Sequence, residues 1–327
     1  MKTLVYGAGP IGRWLAYRLE LTGQDVTLLA RDQTYLALKE RGLEIVDGLT
    51  GERFTAPVKL VDRLGPDDPY ELVVVPMQKA SRVAVCPILA RNTHLKHILF
   101  MGNDVSGFHH YLGHLPADKV LLGFPGVGGG WEGSDLVIMD REKPNGHHGS
   151  VYIGELDSTI RERTLRIKRL FETADIKVSL EKDMDGWLKY HFAFMAPTAG
   201  VIFMKGGDLR AVAADEEAIH QYCRACREAG NVLRAVGYRK RQPGVFNLYY
   251  WLPRWLELNV FSKFFNARSA EVRFGLHAPT VGPELGEMAD EFAVLKTAAG
   301  METPTLDALL DHVPRTRVAA HRKEVVL

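Results

Sequence analysis

Six residues near the start of the chain, Gly7-Ala8-Gly9-Pro10-Ile11-Gly12, have the types and spacing to cradle a pyrophosphate. Gly7 can make a tight turn, Gly9 lets the backbone approach the phosphates, and Gly12 lets a helix pack closely on the preceding strand. That helix's N-terminus then offers free N–H groups and a partial positive charge to the anion. Pro10 and Ile11 would open the helix, and Pro10 suits the first turn because the N–H it lacks has no intrahelical partner there. The apolar run Thr3–Tyr6 before the motif and the helix-spaced Ile11, Leu15 and Leu19 after it supply the strand–turn–helix context. A glycine turn in an α/β protein without nucleotide is the bland alternative. Further on, Asp25–Ala30 is a predicted second strand ending at Arg31. An acidic residue there would take the ribose 2′-hydroxyl of NAD. An arginine can grip a 2′-phosphate bidentately and stack on adenine, so the expected cofactor is NADP(H). Asp32 is the counter-signal, and its structural role would be the N-cap of a helix from about Gln33.

Other reactive residues carry less. Cys223 and Cys226 have CxxC spacing but lie within a predicted amphipathic helix. Packing suits them better than redox or zinc chemistry, which need a helix N-terminus or further ligands. His109, His110 and His114 read as loop residues, with no carboxylate at a matching offset, so no metal is expected. His147-His148 reads as a solvated turn. Gly126–Gly133 lacks the Lys-Ser/Thr of a phosphate loop and reads as a hinge or flap near a cleft.

The elements that must position these groups follow from pattern and size. The chain has 327 residues, and roughly 150 residues per domain predicts two domains. Short apolar runs alternate with helical patterns: Glu71–Val75, His97–Met101 and Val120–Phe124 as strands, Tyr35–Arg41 and Ser81–Ala90 as helices. This predicts βαβ units and a parallel sheet. Ser134–Met139 and Ser150–Ile153 read as a strand pair about the turn-rich Glu142–Gly149, followed by a helix from about Asp157 to Thr173 and a strand from about Ile176. From Asp183 the chain reads as nearly all helix: Trp187–Met204 with a kink at Pro197, Asp215–Val236, and Glu284–Ala299 ended by Gly300. The fold class expected is an α/β Rossmann-type dinucleotide-binding domain, residues 1–180, followed by an all-α domain, residues 181–327.

Charge and composition narrow the partners. Lys plus Arg is 41 and Asp plus Glu is 40, a balance that argues against nucleic-acid binding through a basic field. Three cysteines suit a reducing compartment, and no apolar run reaches the roughly 20 residues of a membrane span. The N-terminus shows no signal-peptide pattern. A cytoplasmic protein without membrane association is expected.

Beyond the fingerprint, the order of several pieces resembles the ketopantoate reductase (2-dehydropantoate 2-reductase) family over nearly the whole chain. They are GAGPIG, Arg31, Lys79-Ala80 after ELVVVPM, Asn103 in FMGNDV, Trp187-Leu188-Lys189 opening the long helix, Glu284 ahead of a helix, and Thr303-Pro304. The resemblance implies that Arg31 and Lys79 hold the adenosine phosphate end of NADPH. It places Asn103 near the nicotinamide ribose and substrate, makes Lys189 the catalytic lysine, and has Glu284 bind substrate or position that lysine. Elementary chemistry agrees: hydride arriving at a ketone leaves charge on oxygen, which a cationic donor stabilises and protonates. The structural alternatives are a snorkelling surface lysine, a first-turn acid answering the helix dipole, and a turn asparagine. His191, two residues from Lys189, points away from it on a helix.

The chain also departs from the family. Two asparagines on the lysine's own helix face are replaced by Ala193 and Pro197, Asn-Gly becomes Asn103-Asp104, and Ser269 is the only remnant of a serine-pair signature. Loss of the amides removes hydroxyl discrimination, so the expected substrate is a 2-oxo acid or related ketone bulkier or less hydroxylated than ketopantoate. Ala193, Met195 and the aromatic stretch Val245–Phe265 suggest a drier pocket, although that stretch equally suits core or dimer packing. Arg268, Arg273 or His277 could pair a substrate carboxylate. A noncatalytic NADP(H) sensor and opine-type reductive amination are the alternatives, and a homodimer through the helical domain is expected.

Overall fold

The computed structural model describes residues 1–140, 146–276 and 278–314. His277 and residues 142–145 of the expected turn lie outside them. Among the described residues there are twelve strands: β1 Thr3–Tyr6, β2 Val26–Leu29, β3 Leu43–Asp47, β4 Arg53–Ala56, β5 Lys59–Val61, β6 Leu72–Val75, β7 His97–Met101, β8 Val120–Pro125, β9 Gly129–Glu132, β10 Asp135–Ile138, β11 Ser150–Glu155 and β12 Lys177–Leu180. Eight form the main sheet in the order β12-β11-β8-β7-β6-β1-β2-β5. Its central strands β1, β2 and β6 are buried throughout, as continuous apolar runs in a doubly covered parallel sheet must be. One pairing departs from parallel: β11 runs antiparallel to β8.

The expected partnership of the 134–139 and 150–153 strands does not form. β10 instead pairs β9 antiparallel and β3 parallel in a separate four-stranded sheet, β4-β3-β10-β9, while β11 joins the main sheet. Gly126–Gly133 is therefore neither hinge nor flap. Four of its glycines pack where a Cβ would collide, Gly129 with the Val137 carbonyl and Gly130 with that of Leu276.

The helices of the first half are α1 Pro10–Leu21, α2 Asp32–Arg41, α3 Lys79–Arg91, α4 His109–Leu112 and α5 Glu162–Thr173. α2 begins one residue earlier than expected: Arg31 is its N-cap and Asp32 makes no capping bond. α5 begins later than expected, because Asp157 closes a local turn by accepting from Thr159. His148 is buried rather than solvated. Its ring meets Asp140, which also accepts from the Trp14 indole at 2.6 Å.

The second half holds α6 Met184–Met204, α7 Leu209–Ala214, α8 Glu216–Ala235, α9 Leu248–Trp251, α10 Arg254–Asn266, α11 Arg268–Ala270, α12 Ala278–Ala299 and α13 Pro304–Leu310. A 3₁₀ turn at Gly244–Asn247 and a π turn at Glu271–Gly275 complete it. α6 spans the two cores. Met184, Trp187 and Leu188 pack with the sheet, whereas Tyr190, Phe192 and Ala193 belong to the helical core with Cys223 and Cys226 of α8. Burial pushes both cysteine thiols up, which keeps them inert. Phe246, Tyr249, Phe261 and Phe265 of the aromatic stretch join this core. Among the described residues no helix is long and apolar enough to cross a membrane.

Candidate active site

In an open α/β sheet a ligand crevice forms beyond the carboxyl ends of the strands, where the strand order reverses. Here that place lies between β1 and β6, and because β2, β1, β6 and β7 run parallel, the loops that follow them leave the sheet at the same end. The β1–α1 turn has Gly7 at φ +118° and α1 starting at Pro10. A Cβ on Gly12 would fall 1.9 Å from the Gly7 carbonyl oxygen, so the helix can lie against the strand only with glycine there. A Cβ on Gly9 would meet nothing within 4 Å. The turn thus presents an open, side-chain-free face ahead of α1, whose first-turn N–H groups include that of Ile11. This is the cradle a pyrophosphate needs, and it fits the group. Arg31 is exposed at the end of β2, where it can reach a ribose.

Lys79 begins α3, one turn after β6, and its ammonium is already engaged. It lies 3.1 Å from Asp104 and bonds to Ser106 and to Glu291 of α12. Glu291 also accepts from the Ser106 backbone N–H at 3.0 Å. Without a ligand, two carboxylates balance its charge. Glu284, on the same face of α12, accepts from the Lys79 backbone N–H at 3.0 Å. Burial pushes the Glu284 carboxyl up, opposed by Arg82 and the Lys79 N–H. α12 begins at Ala278, so Glu284 is not a first-turn acid and Pro283 lies within the helix.

Asn103 follows β7. Its backbone carbonyl accepts from Arg82, while its side-chain Oδ1 is buried with no hydrogen-bond partner among the described residues. A buried amide oxygen without a partner costs free energy unless something else satisfies it. Asp104 beside it is gripped from three sides. Burial raises its carboxyl, but His110 at 3.2 Å, Lys79 and Arg82 outweigh this and hold it below the usual range.

Lys189 lies at the joint of the two cores, 3% exposed. Its carboxylate is Asp185, one turn earlier on α6, at 2.5 Å, in place of the expected Glu284. Asp185 also accepts from the Tyr238 hydroxyl at 2.7 Å, and the ammonium stands 5.0 Å from the centre of the Tyr238 ring. The loop after β7 closes over this pair at Gly107 (φ +84°), where a Cβ would sit 3.2 Å from Asp185 Oδ1 and 3.7 Å from Lys189 Nζ. Asp185 was missed from sequence although its signal, an acid one helical turn before the lysine, was present. Tyr238 lies in a loop with no local signal.

The remaining candidates fall elsewhere. Ala193 and Pro197 are sealed in the helical core, so this face of α6 lines no polar pocket, and the expectation that Ala193 borders a drier one is corrected. Met195 is half-buried, and Ser269 sits half-buried in α11. Arg268 is paired with Glu271 at 2.9 Å, and Arg273 packs against Gly128. His191 lies among Phe124, Trp187 and Phe194, with burial lowering its imidazole to about 3. His109 and His110 fall in the short α4, and among the described residues no His, Cys, Asp and Glu group gathers to hold a metal.

Comparison with known proteins agrees with this architecture. The family model described as ketopantoate reductase PanE/ApbA matches residues 3–158. An uncharacterized oxidoreductase, YkpB, of Bacillus subtilis (strain 168) is 26% identical over 72% of this chain and 76% of its own length. A 2-dehydropantoate 2-reductase of Mesorhizobium japonicum is 28% identical over 43% of this chain and 39% of its own. Among solved structures, 2-dehydropantoate 2-reductase from Geobacter metallireducens superposes with a TM-score of 0.75 at 16% identity, covering 95% of this chain and 98% of that one. D-mandelate dehydrogenase, solved with NADH and anilino(oxo)acetate, gives 0.74 at 15% identity, covering 96% and 97%. Residues 3–158 thus match the ketopantoate reductase (PanE/ApbA) family model, and the whole chain shares the fold of the solved 2-dehydropantoate 2-reductase at low identity.

Proposed function

We propose that the protein is an NADPH-dependent reductase of a 2-oxo acid or related ketone, with residues 1–180 holding the cofactor and residues 181–327 closing on the substrate. The observation that carries this is Lys189: a nearly inaccessible ammonium, held by Asp185 under the β7 loop, beside the edge where the cradle and Asn103 also lie. The Gly7–Gly12 turn and the α1 N-terminus would hold the pyrophosphate and Arg31 the 2′-phosphate. NADPH, when bound, supplies the hydride. Lys189 gives its proton to the carbonyl oxygen and stabilises the charge developing there. The unsatisfied Asn103 amide orients the ribose or the substrate, and the shut β7 loop keeps water from Lys189. Glu284 positions the β6–α3 turn through the Lys79 N–H.

The proposed substrate is bulkier or less hydroxylated than ketopantoate. The D-mandelate dehydrogenase with the same fold, solved with anilino(oxo)acetate, supports this reading. A cytoplasmic homodimer through the helical half completes the proposal, with the exposed Trp251 and Trp255 as the residues it would cover. Stopped-flow oxidation of NADPH against ketopantoate and a series of aliphatic and aromatic 2-oxo acids tests the reading. Turnover is expected, best with the bulkier members. Tight NADPH binding without turnover of any would instead indicate a noncatalytic sensor, and turnover only with an added amine an opine-type enzyme.

A further inference from the structure

Lys189 has a support that its own chemistry does not require. A buried ammonium needs a counter-charge, but Asp185 is also tied at its second oxygen to the Tyr238 hydroxyl. Tyr238 is itself fixed, because its backbone carbonyl accepts from the Tyr190 hydroxyl at 2.7 Å. Its ring then stands under the ammonium. Four contacts from three segments thus define where Nζ can be: the carboxylate, the ring, the anchoring Tyr190 and the glycine lid.

We infer that Asp185 and Tyr238 are positioning residues for Lys189, Asp185 keeping the ammonium charged and aimed across the cleft and Tyr238 fixing the carboxylate that does so. This rests on Lys189 being the proton donor proposed above. The groups that face Lys189 are Asp185 on α6 and Tyr238 after α8, with Asp183 acting on Tyr238. The β7 loop presents Gly107, which brings no charge. Burial raises the Tyr238 phenol, with the Asp185 bond and charge adding to it, so this hydroxyl stays a donor to Asp185 across the working pH range. Removing the Asp185 charge leaves an ammonium in low dielectric with only a ring beneath it, which favours loss of its proton.

The test uses the full chain with lysine labelled with ¹⁵N at Nζ, the Lys189 resonance being assigned by its loss in Lys189→Ala. In Asp185→Asn the titration midpoint of that resonance should move down by at least about one pH unit, and in Asp185→Glu it should largely return. In Tyr238→Phe a smaller shift in the same direction is expected. With NADPH and benzoylformate, Asp185→Asn should lower kcat at least about tenfold with little change in KM, and the alkaline limb of its profile should move to lower pH. Coenzyme affinity, read by NADPH fluorescence, should be unchanged in all variants. An unmoved Lys189 midpoint in Asp185→Asn overturns the inference. Full turnover by Lys189→Ala overturns the proton-donor reading beneath it, and the two failures are distinct.

Discussion

Glu291 of α12 holds the ammonium of Lys79 at the start of α3, so a helix of the second half reaches into the first half and pairs with a cation beside the β6–α3 turn. Asp104 holds the same ammonium at 3.1 Å, and the Lys79 side chain is only 10% exposed. A cation bound by two carboxylates offers little to a third anion. Selection for the 2′-phosphate should therefore fall to Arg31. NADPH is expected to bind at least about tenfold tighter than NADH, on the order of 1.4 kcal/mol, and Arg31→Ala should erase the difference. Lys79→Ala should leave the ratio intact while lowering Tm, because it takes a cation away from the buried Asp104 and from Glu291. Fluorescence titration of both coenzymes against each variant checks this. A ratio lost in Lys79→Ala but kept in Arg31→Ala would reverse the assignment.

The proton-donor role makes a second demand. Lys189→Met keeps the unbranched apolar stem of the side chain and removes its charge, so it should lower kcat by on the order of 10²–10⁴. Coenzyme affinity should be unchanged, since the phosphate cradle is built by another loop. Steady-state kinetics with a turned-over 2-oxo acid, together with coenzyme titration, separates the two. A Met variant that loses coenzyme binding as well would mean Lys189 serves the cofactor and not the chemistry.

What could be read from sequence was what the chain encodes locally. The Gly7–Gly12 turn, Arg31 at the end of β2 and the amphipathic α8 each depend on neighbours within a few residues, and each stands where the pattern puts it. The second sheet depends instead on Val46 meeting Val137, far apart in the chain, and its short strands are framed by glycines that read as loop. The same limit explains the site. Asp185 carried a local signal, one turn before Lys189, but Glu284 had no means of announcing that it would bond the Lys79 N–H. Pro283 and Gly282 resembled a helix start, whereas packing carries α12 through them.

Acid should weaken the joint in a way two carboxylates report with opposite sign. Asp104 is held below its ordinary 3.8 in the folded state. Its contribution is therefore fully present above that value and is lost as pH falls through the folded one. Glu284 is held above its ordinary 4.5. Its contribution is present below 4.5 and is lost as pH rises through the folded value. Urea denaturation from about pH 3 to 7 should show Asp104→Asn less stable at neutral pH and less sensitive to acid than the parent. Removing one partner of a buried pair costs about 3–5 kcal/mol. Glu284→Gln should remove a destabilising slope that sets in above about pH 4.5. Parallel curves for the parent and both variants would contradict the placement of these groups.

The second and third glycines of the fingerprint should fail in different ways, and this separates a cofactor cradle from a structural turn. At Gly12 an added methyl would lie 1.9 Å from the Gly7 carbonyl oxygen, a backbone atom that cannot move without pulling α1 off β1. Gly12→Ala should therefore lower Tm steeply or abolish folding. At Gly9 the methyl meets no protein atom within 4 Å, and the backbone there is extended at φ −72° and ψ −178°, which alanine adopts without strain. Gly9→Ala should fold with an unchanged Tm. The space its methyl fills is the space a pyrophosphate must enter, so NADPH affinity should fall at least about tenfold, on the order of 1.4 kcal/mol. Thermal melts and coenzyme titration on the two variants decide the matter. A Gly9→Ala protein that keeps full NADPH affinity would mean that the open face before α1 is only a turn, and that the nucleotide, if bound, lies elsewhere.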